Sequence, residues 1–183
     1  MKKSFSKKIV IVLVLVGLFG VSAGYSQRVR PSQKGTVSQM VANTEIAIEY
    51  SRPSAKGRTL FGPDGIVKYK KIWMPGANEA TNIKFSRDVL VSGKAIKAGR
   101  YSIWSIPDKN AWTIIFSEDW DQWHTRYPGK DKDALRISVK PKEGSHSELL
   151  SLYFPVVTSS SAVLHLHWGK TVIPIEIKLA KGR

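Results

Sequence analysis

The sequence predicts an all-β protein: an antiparallel two-sheet β-sandwich, jelly-roll or Greek-key-like, preceded by a cleaved signal peptide. After residue 26, roughly eight to ten short segments alternate apolar and polar residues with the period of two that half-buried strands show. Turn residues separate these segments, and none of them keeps a helical period over three turns. The chain contains no cysteine, so the core rather than disulfides would stabilise this sandwich.

The first 26 residues have the organisation of a secretory signal peptide. Four lysines precede an apolar run from Ile9 to Phe19, and small residues follow it from Ser22 to Ser26. At about a dozen residues, the run is shorter than the ~20 residues that span a bilayer. The sequence therefore predicts cleavage near Ala23 to Ser26 and export to the periplasm or the medium, with no membrane span in the mature chain. An uncleaved membrane anchor is the alternative.

The mature chain is predicted to be basic and to form one domain. Removal of residues 1–26 takes away four lysines, which leaves 25 basic and 14 acidic residues and a formal charge of +11. For an exported protein this balance disfavours nucleic acid and favours a glycan or an anionic envelope component as partner. A solvated basic surface is the alternative. The predicted organisation is a flexible lead-in over 27–35 and a β-sandwich domain over 36–180.

The strands follow from the alternation, and two irregular segments interrupt them. Ser51 to Pro63 is long for a hairpin connection, which favours a binding loop or a crossover between sheets. Glu118 to Asp133 is the second irregular segment and is compatible with a small helix. Residues 100–117 read as a hairpin, and Gly169-Lys170 as a hairpin turn. The predicted strands are 37–41, 44–50, 81–85, 89–91, 100–106, 112–116, 135–139, 150–154, 162–168 and 173–177.

The best candidate for a site is the turn-rich stretch 73–81, which carries an amide and a carboxylate at Asn78 and Glu79. These groups suit hydrogen bonds to ligand hydroxyls, and Glu79 is the candidate catalytic base. The structural alternative is that Asn78 caps a turn and Glu79 pairs with a cation. Aromatic side chains that suit stacking on sugar rings are Trp73, Trp120, Trp123 and Tyr127. Trp112 and Trp168 lie on apolar alternating faces and are predicted to be core.

A weaker candidate is the pair His165 and His167, which share one face of a strand. Two imidazoles at this spacing can reach one metal ion if Glu79 or His124 supplies a third ligand. The alternative, which we favour, is an exposed or hydrogen-bonded histidine pair. No glycine-rich phosphate loop or dinucleotide fingerprint is present, and no cofactor is predicted.

Several separated motifs give the chain a family resemblance over roughly residues 35–178. They are Thr44-Glu45-Ile46, Glu49-Tyr50-Ser51-Arg52-Pro53, Lys56-Gly57-Arg58, Phe61-Gly62, Gly76-Ala77-Asn78-Glu79-Ala80-Thr81, Ala98-Gly99-Arg100-Tyr101-Ser102 and His167-Trp168-Gly169. In this order they resemble the domain-of-unknown-function 2911 family, exported proteins found mostly in Bacteroidetes-type bacteria. Lys68, Lys70 and Met74 depart from its pattern, which has Pro, Gly and Arg there. The resemblance implies export but no established activity.

The sequence therefore predicts an exported β-sandwich that binds a ligand, with a glycan or another envelope component as the leading hypothesis. The site would combine Asn78 and Glu79 with Trp73 and the aromatic residues of 120–127. One alternative is a hydrolase that uses Glu79 with His165 or His167. Another is a structural or interaction module without a small-molecule site. The hydrolase requires these groups to meet, and the glycan site requires Trp120 or Trp123 to be exposed.

Overall fold

The computed structural model describes residues 29–180 and arranges them as ten strands in two antiparallel sheets. The strands are β1 (Gln33–Val41), β2 (Thr44–Arg52), β3 (Asn82–Phe85), β4 (Val89–Val91), β5 (Lys94–Ile96), β6 (Gly99–Ile106), β7 (Trp112–Ser117), β8 (Asp133–Val139), β9 (Lys142–Val157) and β10 (Ser161–Leu179). The six-stranded sheet has the order β1-β2-β3-β6-β7-β8, and the four-stranded sheet has the order β5-β4-β10-β9. The sheets do not close into a barrel, so the predicted all-β, two-sheet fold is confirmed.

The core lies between the two sheets and follows the period-two alternation of their strands. On β2, Ile46 and Ile48 are buried whereas Glu45 is exposed. On β10, Leu164 and Leu166 face the same core from the other sheet. Full burial of an aliphatic or aromatic side chain contributes roughly 1.5–3 kcal/mol. The apolar faces of the strands therefore dictate which side of each sheet faces inward.

The chain that follows β2 covers the outer edge of β9. Arg52 donates from Nε to the Leu150 carbonyl at 3.3 Å and from Nη2 to Ser151 Oγ at 3.0 Å. Three residues past the strand, the Ala55 backbone N–H donates to the Glu148 carbonyl at 2.8 Å. An edge strand otherwise presents unpaired backbone groups to solvent. These bonds join the two sheets along one side of the sandwich.

The Glu148 carboxylate on β9 also holds this segment. It accepts hydrogen bonds from the Ser54 hydroxyl and, at 2.7 Å, from the Lys56 backbone N–H, and it lies 3.3 Å from Nε2 of His146. These bonds, that from Ser54 first, lower the pKa of Glu148 from 4.5 to about 2. The ionised carboxylate thus fastens the loop after β2 to β9.

The lowered pKa of Glu148 predicts a pH-dependent contribution to stability. Because the folded protein holds this pKa below the unfolded value, the stabilisation is complete above pH 4.5 and disappears as the pH falls towards 2. We expect Glu148→Gln to lower the melting temperature near neutral pH, and the difference from the wild type to shrink across that window. The shift will be modest because solvent screens an exposed group.

Thermal melts from neutral pH to pH 2 measure this difference, with Glu143→Gln as the control on the same strand. The Glu143 carboxylate makes only a long, 3.9 Å contact with Lys170, and both side chains are exposed. We therefore expect the control to change the melting temperature little at any pH. A Glu148→Gln difference that stays constant down to pH 2 would show that ionisation of Glu148 is not the source of the stabilisation.

β1 is longer than predicted and begins inside the stretch 27–35 that the sequence assigns to a lead-in. Its first residues pair with the end of β2, in the register Gln33 to Arg52 and Gly35 to Tyr50. Lys34 on this segment forms a 2.7 Å ion pair with Glu49. The segment is polar, so it lacks apolar alternation, and pairing with a neighbouring strand fixes it instead.

The predicted hairpin turn at Gly169-Lys170 is wrong, because β10 continues through both residues. β9 pairs with β10 from Ala162 to Val172. It pairs Ser147 with Gly169 and Glu143 with Thr171, and the register shifts on each side of Gly169. The backbone of Gly169 has a positive φ of 58°. Glycine in this conformation is typical of a β-bulge as well as of a turn, and only the partner strand distinguishes the two.

Other predictions for the connections are confirmed. β6 and β7 pair as the expected hairpin, and a 3₁₀-helix at Lys130–Lys132 lies within the second irregular segment. The predicted signal peptide, residues 1–26, lies outside the described residues. Within residues 29–180, no helix is both long enough and apolar enough to cross a membrane.

Candidate functional site

The outward face of the six-stranded sheet carries a small second core. Trp104 on β6 and Ile115 on β7 are buried together with Met74, and Ile106 and Tyr127 pack against them. The Tyr127 ring meets the Trp104 ring edge-on, with centroids 5.4 Å apart. These apolar residues need a cover, which the irregular segment 118–129, here called the cover loop, provides.

Hydrogen bonds fix the start of the cover loop to β6. The Trp104 indole N–H donates to Ser102 Oγ at 2.9 Å, and the Ser102 hydroxyl donates to the Asp119 carbonyl at 2.8 Å. Gln122 then donates from Nε2 to Asp119 Oδ1 at 2.8 Å. The loop is therefore positioned by buried side chains of the sheet below it.

Tyr127 fixes the other end of the cover loop. Its hydroxyl donates to the Asp133 carboxylate at 2.8 Å and accepts from Arg136 Nη2 at 2.8 Å, while Arg136 Nε donates to Asp133. Burial raises the pKa of the Tyr127 phenol, and the Asp133 hydrogen bond adds to this effect. Tyr127 thus contacts β8 and the second core, where it positions the loop.

Asn78 ties the predicted site stretch to three other segments. The Asn78 carbonyl accepts a hydrogen bond from the backbone N–H of His124 and lies 2.9 Å from Nδ1 of His124. Because a carbonyl oxygen can only accept, this Nδ1 carries a proton. Its side-chain amide donates to the Ser32 carbonyl and to Ser51 Oγ, both at 3.1 Å. The backbone of Asn78 has φ 63°, a conformation that asparagine tolerates better than most residues. Both amide donors of Asn78 thus bond to distant segments of the chain, which differs from the turn cap that the alternative expected.

Next to Asn78, a cleft of about 210 Å³ opens between the cover loop and the sheet. Glu79 forms an antiparallel bridge with Trp123, and the Ala80 N–H donates to the Gln122 carbonyl at 2.7 Å, which aligns the two rims. We call this the Glu79 cleft. Its lining residues are Lys34, Glu49, Tyr50, Ser51, Glu79, Ala80, Asn82, Arg100, Trp120, Asp121 and Gln122.

The cations of the Glu79 cleft are paired within it. Glu49 lies 2.7 Å from Lys34 Nζ and 3.4 Å from Arg100 Nη1. The hydrogen bond from Lys34 lowers the pKa of Glu49 below its ordinary value, with a smaller contribution from the charge of Arg100. The Arg100 guanidinium also lies 4.9 Å from the centre of the Trp120 ring. Glu49 is therefore ionised, and Trp120 is held at the wall of the cleft.

The structure brings some of the predicted site residues together. Glu79 and Trp120 line one cleft, and Asn78 braces it through Ser51. Trp123 follows on the same loop, outside the lining residues. Trp120 and Trp123 are 41% and 44% exposed, which meets the condition set by the sequence for a glycan site.

Trp73 lies elsewhere, in an aromatic cluster at the core. Its ring stacks on Trp168, with centroids 6.1 Å apart and planes 7° apart, and meets Trp112 and Phe61 edge-on. Its backbone pairs in both directions with Ser105 on β6. The expectation that Trp73 shares a site with Glu79 is therefore wrong, because strand pairing draws its side chain into the sandwich. Trp112 and Trp168 are buried as predicted.

The histidine pair lies on the opposite side of the molecule from Glu79. His165 and His167 alternate with buried leucines on β10 and so point away from the core on the four-stranded sheet, whereas the Glu79 cleft lies on the outward side of the six-stranded sheet. Among residues 29–180, no three His, Asp or Glu side chains are placed to hold a metal ion. The Glu79 cleft and the histidine pair therefore lie on different sheet faces, an arrangement that does not favour a hydrolase or a metal site combining Glu79 with His165 or His167.

The two histidines form a hydrogen-bonded chain through a tyrosine, as the favoured alternative expects. Nε2 of His167 lies 2.9 Å from the Ser145 carbonyl and 3.1 Å from that of Gly169, so it must carry the proton. Tyr153 OH lies 3.2 Å from Nδ1 of His167 and 3.4 Å from Nδ1 of His165. Burial lowers the pKa of His165, and the neighbouring His167 adds to this effect.

Sequence reasoning missed the residues that strands contribute to the Glu79 cleft. Glu49 and Asn82 are direct partners across β2 and β3, and Arg100 lies on the next strand. The alternation of β2 already marked Glu49 as outward-facing, but the register that places it beside Asn82 is not visible in the sequence. Lys34 was missed because its segment was not predicted to be a strand.

Comparison with known proteins supports the family resemblance. Neither the curated proteins nor the solved structures contain a significant match. Residues 32–177 match the family described as "Protein of unknown function (DUF2911)". This match spans both sheets and all the residues of the Glu79 cleft, and the chain therefore belongs to the DUF2911 family.

Proposed function

We propose that the protein is an exported glycan-binding protein and that the Glu79 cleft is its binding site. The observation that carries the proposal is the half-exposed indole of Trp120 beside carboxylate and amide side chains. An indole supplies a flat apolar surface for a sugar ring, and carboxylates and amides hydrogen-bond its hydroxyls. Groups of this kind in the cleft are Glu49, Glu79, Asn82, Asp121 and Gln122.

The size and charge of the cleft narrow the choice of glycan. Its volume of about 210 Å³ lies below the ~300–1,000 Å³ of pockets that enclose drug-sized ligands, so it suits one sugar unit of a longer chain. Its lining holds two cations, both beside Glu49, and three carboxylates. This balance favours a neutral or amino sugar over the acidic glycans that the overall charge of the protein would suggest.

The protonation of Glu49 restricts the role that this residue could have in hydrolysis at the cleft. A glycosidase needs two carboxyl groups, one of which holds a proton near neutral pH because its pKa is raised. Glu49 and Glu79 line the same cleft, but ion pairing lowers the pKa of Glu49. Glu49 therefore has the wrong protonation for a general acid.

The matched pair Trp120 and Trp123 tests the proposal, since both are similarly exposed on one loop and only Trp120 lines the cleft. Thermal melts of the purified protein with neutral, amino and acidic oligosaccharides identify the ligand class, because a ligand of the folded state raises the midpoint. Titration calorimetry then compares the variants. We expect Trp120→Ala to weaken binding at least tenfold, as for other central tryptophans, and Trp123→Ala to change it less than about twofold.

Two results would overturn the proposal. One is that no oligosaccharide in the panel raises the melting midpoint. The other is that Trp123→Ala weakens binding as much as Trp120→Ala does, which would place the contact outside the cleft. Release of reducing sugar by the wild type and its loss in Glu79→Gln would instead assign hydrolysis to the same site.

A further inference from the structure

A second concave site lies around Phe61 and has no lining residue in common with the Glu79 cleft. It consists of two adjoining cavities of about 310 and 360 Å³. Both are lined by Phe61, Tyr69, Lys170 and Thr171. We call the pair the aromatic recess. Its combined volume falls within the range of sites that enclose a small organic molecule.

The floor of the recess is aromatic and rigid. Phe61 meets Trp112 edge-on with ring centroids 5.0 Å apart, and Trp168 edge-on at 6.1 Å. These two tryptophans are 1% and 2% exposed, and the Trp168 indole N–H donates to the Glu148 carbonyl at 3.3 Å. Phe61 and Tyr69 are only half-buried, so they present apolar ring surface to the cavities.

The loop that carries Phe61 is closed by its own backbone. Gly62 N–H donates to the Val67 carbonyl at 3.1 Å, and Val67 N–H donates back to the Leu60 carbonyl at 2.8 Å. The backbone of Gly169 lies so close to the Leu60 side chain that a β-carbon added at Gly169 would be 2.7 Å from Leu60 Cδ1. The aromatic surface is therefore formed before any ligand arrives, which lowers the entropic cost of binding.

The rim of the recess is positively charged. Four cationic side chains face two carboxylates around the two cavities: Arg58, Lys109, Lys142 and Lys170 against Asp108 and Glu143. The contact of Lys170 with Glu143 is long, at 3.9 Å, and the two side chains are 70% and 80% exposed. An exposed pair of this kind interacts only weakly, so Lys170 is available to contact another anion. The rim thus attracts anions, in contrast to the Glu79 cleft.

We propose that the aromatic recess binds a small organic anion that consists of a flat apolar ring system bearing a carboxylate or a similar acidic group. The ring would pack on Phe61 and Tyr69, and the acidic group would meet Lys142 and Lys170. This site is independent of the glycan site, because the two differ in lining residues and in the sign of their charge.

The proposal is tested with 2-naphthoate and its neutral analogue 2-naphthylmethanol, titrated into the purified protein by calorimetry. The two probes share the ring system and differ in charge. We expect saturable one-to-one binding of 2-naphthoate, weaker at high salt, and at least tenfold weaker binding of the alcohol. Equal affinities, or no saturable binding of 2-naphthoate up to millimolar concentration, would overturn the proposal.

Variants locate the binding. The double variant Lys142→Glu/Lys170→Glu reverses two exposed charges on the rim. We expect it to weaken the binding of 2-naphthoate at least tenfold. Lys84→Glu and Trp120→Ala, which lie outside the recess, should change its affinity less than about twofold. Tyr69→Ala should weaken both probes alike because it removes ring contact. An effect of Lys84→Glu as large as that of the double variant would contradict a site in the recess. Trp120→Ala is expected to weaken glycan binding and to leave 2-naphthoate binding nearly unchanged, so the two proposals can fail separately.

Discussion

We expect Trp112→Ala to lower the free energy of unfolding by about 3–5 kcal/mol, the largest loss that we predict for a single substitution. Trp112 is 1% exposed and lies between the sheets, where its ring meets Phe61 and Trp73 edge-on at 5.0 and 5.9 Å. Alanine would remove the buried surface of the indole and leave a cavity that this rigid cluster cannot fill. Urea denaturation with linear extrapolation measures the change.

The control for Trp112 is the same substitution at Trp120, which is 41% exposed. Its ring contacts Arg100 at the surface and does not belong to the core, so we expect Trp120→Ala to change the free energy of unfolding by no more than about 0.5 kcal/mol. Losses of similar size in the two variants would mean that burial between the sheets is not the source of stability at Trp112.

The fold could be predicted from the sequence because the apolar–polar alternation that favours a strand lies within the strand's own residues. The alternation of Ile46 and Ile48 with Glu45 needs one apolar and one solvated face, and β2 has both. The sequence 100–117 likewise contains its own turn between two alternating runs and forms the β6–β7 hairpin. Local pattern and tertiary contact agree at these positions.

Prediction failed where a strand depends on its partner. Gln33 to Gly35 carry no apolar signal and become strand because the end of β2 is available for pairing. Gly169 carries a strong turn signal, yet β9 pairs on both sides of it and converts the turn into a bulge. In both cases the decisive interaction comes from residues that are distant in sequence.

The site was predictable to the extent that it lies on loops. Glu79 and Trp120 stood out as polar and aromatic residues between strands, and they line one cleft. Trp73 and Tyr127 stood out for the same reason but are held by strand pairing and by a hydrogen bond to Asp133. A single sequence does not show which aromatic residues of a loop are anchors and which face a ligand.

Asn78 connects the fold with the site, and we expect Asn78→Ala to lower the free energy of unfolding by about 2–4 kcal/mol. Part of the loss comes from the side-chain amide, whose hydrogen bonds to the Ser32 carbonyl and Ser51 Oγ contribute about 0.5–1.5 kcal/mol each. The rest comes from the backbone, because alanine at φ 63° is strained by about 1 kcal/mol relative to asparagine.

Asn78→Gly separates these two causes. Glycine relieves the backbone strain but lacks the amide. The expected order of stability is therefore wild type, then Asn78→Gly, then Asn78→Ala. We expect a difference of about 1 kcal/mol between the two variants, after correction for the larger conformational entropy that glycine gives the unfolded chain. Both variants should also weaken glycan binding, since Ser51 and Glu79 lose a common brace beside the cleft. Urea denaturation and calorimetry measure the two effects. If Asn78→Gly were as stable as the wild type, the amide bonds would contribute nothing, and the cleft would be positioned by the backbone contacts of residues 78–80 with the cover loop.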